Sequence, residues 1–113
     1  MDLAQRNLID IQSYIDYLEQ NNHLIRVKSE VDPVCELAGI AKKFEGGKAI
    51  LFENVKGHTY PVLVGLYWNR DMMAKFFGTN SAKLPFVLAD GIKAWHQSPM
   101  DPVVLKQGPA NEV

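Results

Sequence analysis

Apolar residues recur every three or four positions in some stretches of the chain and crowd into short runs in others, so helices and strands are expected to alternate. A first helix is predicted from Asp10, whose side chain can accept from the free amides of the first turn. Leu8, Ile11, Ile15 and Leu18 then fall at helical spacing, and Asn21-Asn22 supplies a left-handed stop. Residues 24–28 alternate apolar and polar side chains, the pattern of a half-buried strand. Asp32-Pro33 reads as an N-cap followed by proline at the first helical position. Leu37, Ile40, Ala41 and Phe44 carry the second helix onward, with Lys42 and Lys43 near its end and Gly46-Gly47 as its stop.

Residues 49–55 and 61–67 are rich in Val, Ile, Leu and aromatic side chains, which predicts two strands of a hairpin with a long turn over 56–60. A third helix is expected to start near Asn69, present Met72, Met73, Phe76 and Phe77, and close at Gly78. A fourth should run from Leu84 or Pro85 to Gln97 with Leu84, Leu88, Ile92 and Trp95 as its stripe; Gly91 either weakens it or gives another backbone room to approach. These elements predict an α+β fold: a mixed sheet of three to four strands, built as a β-α-β unit with a right-handed crossover plus a hairpin, packed with about four helices. The single domain is expected over 1–97. Residues 98–113 read as a linker and tail leading toward a further domain, cut off after an unpaired Val103-Val104-Leu105 run.

Composition narrows the function classes. A chain of 113 residues supports one core. Twelve Lys and Arg against thirteen Asp and Glu leave a net charge of -1, so no global field recruits nucleic acid or an anionic membrane. No apolar run approaches the roughly 20 residues of a membrane span, and MDLAQRN has no signal-peptide core, which places the chain in the cytoplasm. The lone Cys35 forms no internal disulfide and suits a reducing compartment.

Candidate chemistry is sparse. His23, His58 and His96 show no ligand spacing and are expected in a turn, at a hairpin tip and at a helix end, all solvated. Cys35 falls in the first turn of the second helix, where a dipole favours a thiolate but no base is visible beside it. Gly46-Gly47-Lys48 precedes a strand and is followed by Ala49, so it stops a helix and cradles no phosphate. Glu30, Asp32 and Glu36 gather at a helix start, where capping accounts for them. Met72, Met73, Phe76 and Phe77 with Trp68 either line a pocket or pack on two neighbours at once, one of them outside this chain. No catalytic, cofactor-binding or metal-ligating residue is assigned.

Two signatures carry a family resemblance. Val31-Asp32-Pro33-Val34-Cys35-Glu36-Leu37-Ala38 and then Phe52-Glu53-Asn54-Val55-Lys56-Gly57, the latter preceded by Gly46-Gly47 and followed by Tyr60-Pro61-Val62-Leu63, resemble the N-terminal region of UbiD-type decarboxylases over roughly residues 10–97. Val64-Gly65 and Trp68-Asn69 depart from the Gly-Asn and Gly-Ser pairs frequent in that family. The resemblance implies a non-oxidative carboxy-lyase acting on aromatic or α,β-unsaturated acids, in one branch a polyprenylated 4-hydroxybenzoate of ubiquinone biosynthesis. It also implies prenylated FMN with a divalent metal and potassium, held by a central flavin-binding domain downstream. By that resemblance this chain is the N-terminal domain, binds no cofactor alone, and has the flavin domain, a partner subunit or another copy of itself as partner. The alternative is a stand-alone interaction module or accessory subunit with the same fold.

Overall fold

The computed structural model describes residues 10–108; Leu8, expected in the pattern of the first helix, and the tail beyond Gly108 lie outside the described residues. In chain order the elements are α1 (Ile11–Gln20), β1 (Leu24–Val27), α2 (Glu36–Lys43), β2 (Ala49–Phe52), β3 (Val62–Val64), α3 (Arg70–Phe76) and α4 (Leu84–Gln97). The sheet is mixed, in the order β1-β2-β3. Leu24 to Val27 run parallel to Ala49 to Phe52, and Phe52 to Ile50 run antiparallel to Val62 to Val64. The β-α-β unit with its antiparallel addition is therefore as predicted, with three strands.

The central strand explains the layering. All four residues of β2 are buried, which is why Ala-Ile-Leu-Phe reads as a continuous apolar run without alternation. Ile50 and Phe52 point to one side, where Val31 and Val55 complete a cluster packed by Leu37 and Ile40 of α2. Ala49 points to the other side, against Leu18 of α1 and Met72 of α3. The flanking strands obey the same period of two: Ile25, Val27, Val62 and Val64 join the first layer and Leu24 and Leu63 the second.

α1 begins as predicted. Asp10 Oδ1 accepts from the Ser13 N–H at 2.8 Å while Ser13 Oγ accepts from the Asp10 N–H at 3.2 Å. Asn22 takes the left-handed conformation (φ 58°) after α1. α3 also starts at its predicted cap, Asn69, whose Oδ1 accepts from the Met72 N–H at 3.0 Å. Gly78 (φ 72°) closes it.

Four expectations are corrected. α2 starts at Glu36, not Pro33, because Asp32 spends its side chain on a turn of its own: Oδ1 accepts from the Val34 N–H at 2.8 Å. Cys35 (φ 68°) then interrupts the helical run and, rather than lying inside the first turn, stands at the N-cap without a side-chain bond. β2 and β3 are shorter than 49–55 and 61–67. Glu53 is drawn to Arg26 beyond the last β2 residue, and Gly65 (φ 88°) turns the chain out of the sheet after Val64. Finally, His23 is half-buried instead of solvated, with an Nδ1 that is buried and finds no hydrogen-bond partner, because the α1–β1 turn is pinned at His23 by both backbone groups.

Candidate docking surface

α4 runs where its pattern predicts, but Leu84 is its only buried residue. The rest of its stripe is open, with Ile92 61% and Trp95 57% exposed, and Phe86 beside it is 71% exposed. Val87 and Leu88 on the same helix are about two-fifths exposed. A stripe of this composition normally faces a core. Here it faces a groove that no other described element fills.

That groove is built by α1, α3 and α4. One part, of about 460 Å³, is lined by Ile11, Tyr14, Leu66, Tyr67, Met73, Phe76, Phe77 and Leu88, with Asp10 as the charged member. A second part of about 470 Å³ continues along α4 and is lined by Phe77, Val87, Leu88, Gly91, Ile92 and Trp95. The aromatic floor is locked by edge-to-face contacts of Phe76 with Tyr14 and with Phe77, at ring-centroid distances of 5.2 and 5.3 Å. Burial pushes the Tyr14 hydroxyl up, so it stays protonated. The Ser13 N–H holds the Asp10 carboxyl below the ordinary carboxylate range, so it stays ionised. The groove is thus apolar along its length and negative at one place, suited to apolar protein surface and unsuited to a phosphate.

The remaining candidates are dispersed. Met73, Phe76 and Phe77 line the groove, whereas Met72 is turned into the core and Trp68 packs on the α2 side of the sheet, over Gly65. Glu36 accepts from the Asp32 N–H at 3.0 Å and Asp32 also pairs with Lys56 at 3.6 Å, so these acids fasten the entry to α2. Lys48 Nζ donates to Asn22 Oδ1 at 2.9 Å and the Gly47 N–H to Phe44 O at 3.0 Å; neither donor of the Gly-Gly-Lys stretch faces an open site. The Gly47 carbonyl is likewise engaged, by Asn69 Nδ2 at 3.2 Å. His58 and His96 are exposed as expected, beside Tyr60 and Trp95 respectively. Among the described residues no three His, Cys, Asp or Glu side chains gather, and no helix is long and apolar enough to cross a membrane.

One polar constellation escapes sequence reading. Arg26 on β1 grips Glu19 of α1 with two bonds, at 2.7 and 2.9 Å, and Glu53 beyond β2 with a third at 2.6 Å. The guanidinium lowers the Glu19 pKa, and the two carboxylates raise that of Arg26. The spacing of these residues carries no motif; only the parallel register that sets Arg26 opposite Leu51 brings them together.

Known proteins share this sequence pattern and fold. The family model of the 3-octaprenyl-4-hydroxybenzoate carboxy-lyase N-terminal domain matches residues 15–91. A Rhodospirillum rubrum protein, described as uncharacterized and in the cooM 5′ region, is 50% identical over 111 residues, which are 97% of this chain and 24% of that protein. Among solved structures, an evolved dimeric form of the UbiD-class enzyme HmfF from Pelotomaculum thermopropionicum, in complex with prFMN, superposes with a TM-score of 0.67 at 34% identity, covering 73% of this chain and 19% of that one. The open form of the vanillic acid decarboxylase from Sedimentibacter hydroxybenzoicus gives a TM-score of 0.66 at 26% identity, covering 86% and 22%. The chain therefore spans a quarter or less of the length of these relatives.

Proposed function

Because this chain belongs to the UbiD family of carboxy-lyases, whose N-terminal domain it carries, we propose that it is the non-catalytic domain of a non-oxidative decarboxylase of aromatic or α,β-unsaturated carboxylic acids. Residues 1–97 form that domain and 98–113 lead toward a flavin-binding domain, supplied by the same polypeptide or by a partner subunit. A narrower reading takes a polyprenylated 4-hydroxybenzoate as the substrate, after the 3-octaprenyl-4-hydroxybenzoate in the description of the matching family model, and with it a place in ubiquinone biosynthesis. A cytoplasmic setting suits the single exposed thiol.

The observation that carries the reading is the donor set of the groove. A flavin phosphate takes cationic or amide donors, and along this groove it would meet aromatic and aliphatic side chains and the ionised Asp10. The described residues offer no such donors to prenylated FMN and gather no three His, Cys, Asp or Glu side chains for a divalent ion, so the chemistry those groups supply is assigned to residues outside them. An apolar groove of this kind is instead the form of a domain interface. Purified chain supplied with reduced prenylated FMN and vanillic acid is expected to release no carbon dioxide above the flavin alone. Release by the chain itself would overturn the proposal.

A further inference from the structure

Gly91 sits in the open stripe of α4, and a methyl group built on it meets nothing within 4 Å. Nothing among the described residues calls for glycine there, and in a helix interior glycine is less favourable than almost any other residue. Leu84, Leu88, Gly91 and Trp95 are spaced four, three and four residues apart, the spacing of a helix seam that receives a neighbour. The gap at Gly91 lies between Leu88 and Trp95, and it opens into the groove that Phe77 and Ile92 also line.

We infer that this notch is the seat of an apolar side chain from the domain that follows in longer chains of the family, with Gly91 letting its backbone approach α4. The inference rests on the proposed function and names the surface through which that domain docks. Two observations and one general argument favour this occupant over a second copy. Three quarters or more of the length of these relatives lies outside the part this chain matches, and the matching family model is that of an N-terminal domain. α4 is the last element among the described residues, and the chain runs from its end through exposed Val103, Val104 and Leu105, so a domain that follows would be tethered close to the notch. A tethered partner is present at millimolar effective concentration, whereas a second copy must be recruited from solution.

The test exploits the opposite effects expected of one substitution. In the chain alone, Gly91→Leu meets no atom and improves helix propensity, so its denaturation midpoint should rise. In a chimera, this chain replaces the matching quarter of the Rhodospirillum rubrum relative. There Trp95 emission should shift to the blue and iodide quenching should fall severalfold relative to the chain alone; Gly91→Leu should restore the exposed signal. A Trp95→Phe chain subtracts the Trp68 contribution. Equal Trp95 exposure in the chimera and the chain alone would overturn the inference, and so would a Gly91→Leu chimera with Trp95 still covered. A sedimenting dimer of the chain that covers Trp95 by itself would make a second copy the occupant and overturn it too. FMN uptake, read in the same chimera samples, reports separately on the proposed function: uptake with Trp95 still exposed refutes the docking face alone.

Discussion

Gly65 and Asn69 decide how the chain leaves the sheet and enters α3. Gly65 holds φ at 88°, and a methyl group added there would come within 2.1 Å of the Trp68 ring. Ala therefore meets both a disfavoured backbone conformation and an aromatic side chain packed on the core. Gly65→Ala is expected to destabilise the protein by about 2–5 kcal/mol, read as a lower midpoint in urea denaturation. Asn69 joins two tasks, capping α3 through Met72 and holding the Gly47 carbonyl. Asn69→Ala should cost about 1–2 kcal/mol, and Asn69→Asp, which keeps the cap and loses the amide donor, should cost less. Equal losses in the two variants would show that the bond to Gly47 dominates. Asp32 teaches the converse: sequence placed it as a helix cap, yet its carboxylate closes the turn to Val34, a choice that local pattern does not distinguish because both uses need an Asx side chain before a free amide.

At the scale of elements, the Arg26 cluster ties α1 to β1 and to the turn after β2. Glu19 and Asp10 both titrate below their ordinary values, Glu19 through Arg26 and Asp10 through the Ser13 amide. A carboxylate depressed in the folded state stabilises above its unfolded pKa, and that contribution is lost as pH falls through the folded value. The thermal midpoint is thus expected to drop as pH falls below about 4, and Glu19→Gln should flatten that part of the profile. A profile unchanged by Glu19→Gln would show that the cluster does not couple to folding. The elements themselves were largely legible in the sequence, because seven segments carry their own periodicity, caps or stops. Strand ends were not. They depend on Arg26 reaching Glu53 and on Gly65 turning the chain, both set by the assembled sheet. The groove was half legible: the doubled apolar pairs Met72-Met73 and Phe76-Phe77 signalled two neighbours, but that α4 would leave its stripe open follows only from where the helix lies.

At the scale of the whole molecule the described residues are extended for their number, with a radius of gyration of 17.3 Å, against about 13 Å for a compact domain of about 100 residues. The excess agrees with α4 and the tail, which carry many of the large exposed apolar side chains among the described residues, from Phe86 to Leu105. Such a surface is stable in water only at a cost that a docked neighbour would remove. A dye that reports exposed apolar surface is therefore expected to bind the chain, and Ile92→Lys to weaken that binding without lowering the urea midpoint, because Ile92 is 61% exposed. Loss of stability in Ile92→Lys would mean that α4 packs inward in solution. The central claim, that the chemistry lies outside these residues, is tested most directly by mixing the chain with equimolar FMN and separating bound from free flavin by gel filtration. All visible absorbance is expected to elute with free FMN, and the Trp68 and Trp95 emission to be unchanged. One FMN eluting with each chain would contradict the account.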